Sequence, residues 1–159
     1  VFLCATLCFT WLILTGCQTT SAPRGLSPLQ IQALIQEGFE PTEDGFELSA
    51  ADRFLFASDQ AVLQPQMRAT LERIGRLLAE FDVPHVRLDG HTDSIGSESH
   101  NARLSLRRAE VVADTLVAAG LPPQRVQTRG LGSSMPIADN ATAEGRQQNR
   151  RVVIVLRSD

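Results

Sequence analysis

Near its end the chain carries an unbroken apolar run, Val152-Val153-Ile154-Val155-Leu156, in which residues of both parities are hydrophobic. A strand alternates its side chains between two faces, so such a run belongs where both faces are covered, in the interior of a sheet. The rest of the chain supplies partners for it. Val86 and Leu88 alternate with His85, Arg87 and Asp89, a half-buried strand leading into Gly90-His91-Thr92-Asp93. Further strands are expected at Arg53 to Phe56 and Arg125 to Arg129. Between Pro65 and Phe81, Met67, Leu71, Ile74, Leu77, Leu78 and Phe81 recur at three- and four-residue spacing, which predicts a helix with Arg68, Glu72 and Arg76 on its wet side. Asn101 to Ala119, closed by Gly120 and Pro122-Pro123, predicts a second helix, and Thr142 to Gln148 a short third. Strands alternating with helices in this order predict an α/β fold, a sandwich with helices packed on a small sheet.

Upstream of this pattern the composition changes. Val1 to Leu14 is almost wholly apolar, too short to span a bilayer comfortably, and the first charge is Arg24. The stretch reads as the apolar part of a secretory signal, and Leu14-Thr15-Gly16-Cys17 resembles a bacterial lipobox, in which the Cys17 thiol accepts diacylglycerol. Residues 1–16 are thus expected to be a signal peptide, with lipidated Cys17 and a polar linker filling 17–26. Cys4 and Cys8 would leave with the signal, so Cys17 would be the sole thiol of the exported chain and no disulfide is expected. Gln18 stands after the cysteine; in the lipoproteins this segment resembles, the lack of Asp there implies export to the outer membrane, facing the periplasm. Ser27-Pro28 opens a helix carrying Leu29, Ile31, Leu34 and Ile35, ended by Gly38, and Asp44-Gly45 between Phe39-Glu40 and Phe46-Glu47-Leu48 signals a hairpin. Residues 27–49 are read as an N-terminal arm, distinct from a domain spanning 50–159.

Charge narrows the function. The 159 residues carry 15 basic and 18 acidic groups, a net charge of −3, and every basic residue is Arg. Nothing here suits the phosphate backbone of nucleic acid. Within the second helix, however, Leu104, Val111, Val112, Thr115 and Ala119 share a face, and Arg108 falls near its middle, while Arg103, Arg107, Glu110 and Asp114 lie elsewhere. An arginine on an apolar face needs an anion, because an unpaired buried charge costs several kcal/mol. Asp93, at the end of a strand, is the nearest candidate. Either Asp93 and Arg108 form an internal ion pair, or they stand ready for a zwitterion, Asp93 taking its ammonium and Arg108 forking onto its carboxylate.

Several spaced motifs bear on that choice: Gly90-His91-Thr92-Asp93, Asn101-x-x-Leu104-Ser105-x-x-Arg108-Ala109, Gly130-x-Gly132, Pro136-Ile137-Ala138 and Gly145-Arg146-x-x-Asn149-Arg150-Arg151-Val152. In order over residues 50–157 they resemble the OmpA-like C-terminal domain found in OmpA, Pal and MotB. The resemblance implies an OmpA-like α/β sandwich, its helices on one face of a small mixed sheet. It also implies non-covalent binding of peptidoglycan through the diaminopimelate of the stem peptide, clasped by Asp93 and Arg108. Thr92, Asn101, Leu104 and Arg150 are implied as supporting contacts, and Asp59 stands after the first strand, near where some members place an aspartate. The lipobox, Gly38-Phe39, Gly45-Phe46-Glu47-Leu48 and Leu104-Ser105-Leu106-Arg107-Arg108-Ala109 resemble the YfiB-type outer-membrane lipoproteins. That group is implied to capture a periplasmic repressor, YfiR, and so to release a diguanylate cyclase that makes c-di-GMP, the biofilm signal. The alternative is a purely structural, Pal-like tether between outer membrane and cell wall.

No enzyme and no cofactor are expected. His85 and His91 share a strand face six residues apart, yet spacing fixes no third metal ligand, and there is no Gly-x-Ser-x-Gly elbow to present a nucleophile.

Overall fold

A computed structural model describes residues 25–51, 55–56 and 61–157. The signal segment, Cys17, most of the linker and Asp59 lie outside the described residues. Among the described residues four α-helices, α1 (Pro28–Gln36), α2 (Pro65–Glu80), α3 (Glu98–Ala118) and α4 (Ala143–Asn149), accompany five strands: β1 (Glu40–Thr42), β2 (Gly45–Ala51), β3 (His85–His91), β4 (Val126–Gly130) and β5 (Arg151–Arg157). The sheet runs β1-β2-β5-β3-β4. Only β3 and β4 are parallel, joined by the crossover through α3; the other pairs are antiparallel. The sheet is therefore mixed, and the apolar β5 is central, as its two-sided hydrophobicity required.

Local chemistry sets the helix ends. Ser27 and Gln30 form a reciprocal capping box with Pro28 as the first helical residue, Ser97 caps α3, and Thr142 caps α4. One face of the sheet presents Phe46, Leu48, Val86, Leu88, Val152, Ile154 and Leu156 to the helices, and Leu71, Ile74, Leu78, Val112 and Leu116 complete the core from α2 and α3.

Two expectations need correction. The segment 27–49 is not an arm set apart from the domain. β2 crosses the supposed boundary and pairs with β5 over seven positions, from Gly45 opposite Arg157 to Ala51 opposite Arg151, while Leu34, Phe39 and Phe46 are buried in the common core. The hairpin itself is present, with Thr42 opposite Gly45. The strand expected at Arg53 to Phe56 is also absent over its described part. Leu55 is helical and Phe56 makes an isolated antiparallel bridge to Leu63. Residues 52–54 lie outside the described part.

On α3 the buried face is turned by about 60° from the stripe drawn through Leu104. Asn101, Ser105, Ala109, Val112 and Leu116 are buried, whereas Leu104, Val111 and Ala119 are only partly so. Small residues take the inner positions because the helix backbone lies directly on the sheet. A Cβ on Gly90 would stand 2.0 Å from the Ser105 carbonyl oxygen, and one on Gly130 would stand 2.5 Å from that of Ala102. Arg108 is thus at the flank of the buried face rather than its middle, and is 4% exposed. Arg103, Arg107, Glu110 and Asp114 are exposed, as the charge pattern required.

Candidate ligand site at the end of strand β3

Strand β3 ends at His91, and the chain passes through Thr92 and Asp93 into the turn before α3. Thr92 and Asp93 are both buried. The Thr92 amide donates to the Gly132 carbonyl, and Gly132 donates in turn to Ser105 Oγ, so two loops and α3 are laced together at this end. Asn101, 3% exposed, donates through Nδ2 to the carbonyls of Asp93 and Ile95. Its amide braces the turn that presents the aspartate.

The Asp93 carboxylate accepts from the Ile95 amide at 3.0 Å and, through its other oxygen, from Arg150 Nη1 at 2.6 Å. Arg150 lies just ahead of β5 and keeps about a third of its side chain exposed. Arg108 projects from α3, two turns beyond Asn101, and its guanidinium carbon sits 5.4 Å from the centre of the Phe56 ring. A cation over an aromatic face gains electrostatic stabilisation while staying charged. Leu104, half-buried, lies one turn before Arg108.

The structure therefore gathers Thr92, Asp93, Asn101 and Arg150 around one turn and puts Arg108 and Leu104 on the adjoining helix. The ion pair it forms at Asp93 is with Arg150, a residue the sequence placed only among the supporting contacts. Asp59 and Cys17 fall outside the described residues. Reading the sequence missed Phe56, Ser105 and Asn149. For Ser105, the Ser-x-x-x-Ala spacing to Ala109 on α3 opposite the two glycines was the available signal; the role of Phe56 depends on a contact across the fold and had none.

Asn149 organises the rear wall. It is fully buried, its Oδ1 accepts from the amides of Ile137 and Ala138, and its Nδ2 donates to the Ala138 carbonyl and Asn140 Oδ1. All four hydrogen-bonding capacities of the amide are used. Asn140 Oδ1 also accepts from the Ser94 amide, linking this wall to the Asp93 turn. Asn149→Ala should cost about 2 kcal/mol in urea unfolding, because it strands buried backbone groups, and should loosen the Arg150 contact beside it.

Beneath the site, on the sheet face away from the helices, Asp89 accepts from Arg87 Nε and from both Nε and Nη2 of Arg129. Burial pushes its carboxyl upward, but the Arg129 and Arg87 hydrogen bonds outweigh that and hold it below the usual carboxylate range. Arg151, 7% exposed, donates to the carbonyls of Asn149 and Met135; burial draws its guanidinium down from its ordinary value, opposed by Glu47.

Residues 55–150 match the OmpA family. The outer-membrane lipoprotein YfiB of Pseudomonas aeruginosa is 46% identical over 143 residues, covering 90% of this chain and 85% of that protein. The peptidoglycan-binding protein ArfA of Mycobacterium tuberculosis is 46% identical over 101 residues, 64% of this chain and 31% of that protein. Among solved structures, the cell wall anchor of the type VI secretion system from Pseudomonas aeruginosa superposes with a TM-score of 0.70 at 31% identity, covering 87% of this chain and all of that one. The chain belongs to the OmpA family, and its place is the periplasmic side of the outer membrane, as a lipoprotein.

Proposed function

We propose that this lipoprotein, anchored through lipid on Cys17, binds peptidoglycan non-covalently through the diaminopimelate of the stem peptide. The work is binding rather than catalysis. One observation carries the reading: two groups of opposite charge, Asp93 and Arg108, are each more than nine-tenths buried on adjoining elements, Asp93 beside Arg150 and Arg108 beside the Phe56 ring. Asn101, bonded to the Asp93 carbonyl, and Arg108 lie seven residues apart on one helix, about 10 Å along its axis. An amino-acid zwitterion held between them puts its ammonium on Asp93 and its carboxylate on the Arg108 fork. The relatives named for peptidoglycan and cell wall support the same ligand.

Retention on purified sacculi tests this. Asp93→Asn and Arg108→Gln should each weaken retention by at least about ten-fold, the scale of one lost charge-assisted contact, with unchanged circular dichroism, and free diaminopimelate should compete. Retention at the wild-type level in both variants rejects the site.

A second reading, capture of a YfiR-type repressor that frees a diguanylate cyclase, is favoured by α1, where Leu29 is 78% and Ile35 51% exposed. Because β2 is integral to the sheet, deleting 27–49 would damage the fold and test nothing. Leu29→Asp with Ile35→Asp should instead abolish repressor capture and leave sacculus retention intact; unimpaired capture removes α1 from that reading, and no capture by the wild type leaves the wall-tether reading alone.

A further inference from the structure

The helices cover one face of the sheet, and the other face is organised by register into rows. Arg157 stands opposite His85; Val155, Arg87 and Gln127 form the next row; Val153, Asp89 and Arg129 the one after. At the end of β3 remote from Asp93 this face opens into a pocket of about 360 Å³ lined by His85, Arg87, Gln124, Arg125, Gln127 and Arg157 over Val86 and Val155. Among the described residues no carboxylate lines it, although the chain as a whole is negative.

Two of its cations are held in place from behind. Arg87 lines the pocket and donates to both Asp89 oxygens through Nε, so its two Nη groups are not the ones engaged there. Arg125 uses Nη1 for Asp82 and the Val83 carbonyl, which leaves Nη2 and Nε. Anchored guanidinium groups lose little freedom on meeting an anion, and their paired donors match the oxygens of a phosphate. Arg157, exposed at the end of β5, adds a third. The pocket is larger than a bare phosphate fills. Gln124 and Gln127 can exchange hydrogen bonds with hydroxyl groups, and buried Val155, in the same row as Arg87, gives an apolar floor for carbon.

We infer that this pocket binds a phosphate monoester or diester of a small polyol, in a site separate from the one proposed for the wall. The same chemistry is carried by free glycerol phosphates and by the headgroup of phosphatidylglycerol, and the experiment separates them. The full chain would be titrated with glycerol 3-phosphate, following intrinsic protein resonances or melting temperature, and in parallel sedimented with phosphatidylcholine vesicles with and without phosphatidylglycerol.

Saturable binding of glycerol 3-phosphate, weakened about ten-fold or more in Arg87→Gln with Arg157→Gln, supports the site and the free ester. Saturable binding only to phosphatidylglycerol vesicles, with the same loss in the double variant, supports the site and the lipid. The exposed Arg157→Gln variant alone should show a smaller loss, which keeps the test valid should the double variant fail to fold. Asp93→Asn should bind the phosphate probe as wild type does. No saturable binding in either arm, or equal binding by the Arg variants, overturns the inference without touching the wall-binding reading.

Discussion

A Gly90→Ala variant is expected to lose at least about 4 kcal/mol of folding free energy and to accumulate as insoluble protein. One methyl group has this effect because of where it would go. The new Cβ would stand 2.0 Å from the carbonyl oxygen of Ser105, 2.7 Å from its carbonyl carbon and 3.2 Å from its Cα. These are backbone atoms in the middle of a 21-residue helix, so no rotamer change relieves the contact. The whole of α3 would have to lift from β3, and the same surface is held down at Gly130, where a Cβ would meet Ala102 and Leu106. Lifting the helix also withdraws Ser105 from Gly132 and shifts Asn101 against the Asp93 turn. Domains of this size are stable by only about 5–15 kcal/mol. Soluble yield and urea midpoint measure the outcome; a variant within 1 kcal/mol of wild type would show that helix and sheet are not in backbone contact at this point.

Much of this arrangement is written locally. Ser27-Pro28-x-Gln30 specifies a capped helix start, the Asp44-Gly45 pair a tight hairpin, and the Val152 to Leu156 run a central strand, because each depends on neighbours within a few residues. Arg108 could be picked out by its place among apolar residues on α3, since helical periodicity is also local. What could not be read depends on distant partners. Phe46, Leu48 and Ala50 alternate with Glu47 and Ser49 as a half-buried strand should, but the strand they pair with lies more than a hundred residues away, and only that pairing makes the arm part of the domain. The charge on Asp93 has the same problem. Arg150 is 57 residues from it along the chain, and its guanidinium arrives there because α4 and β5 meet beside the β3 turn. Hydrophobicity alone misplaces the buried face of α3, because a helix lying on glycines buries serine and alanine.

Acidification from pH 6.5 to pH 4 should remove roughly 3 kcal/mol of stability through His91 alone. This ring is 5% exposed, and its Nδ1 is fully buried with no hydrogen-bond partner among the described residues. Burial is the largest influence on it and disfavours the imidazolium; Arg151 acts the same way, Asp89 opposes and Arg129 adds a little more, so its pKa falls to about 4 from an ordinary 6.5. With the folded value depressed, the unfolded chain takes up the proton first. Stability is therefore complete above pH 6.5, declines as pH falls because the unfolded state binds more protons, and stops declining from this source near pH 4, where the folded ring also protonates. Asp89, held below the usual carboxylate range, adds its own loss only at lower pH. Urea unfolding across pH 4 to 7 in wild type and His91→Gln separates the contributions, since the variant should be nearly flat over the window in which the wild type slopes. An equal slope in both would mean that the ring is protonated in the folded protein. His91 directly precedes Thr92 and Asp93, so only near pH 4 and below, where the folded ring also protonates, does a new charge enter this end of β3 next to the aspartate proposed to hold the wall.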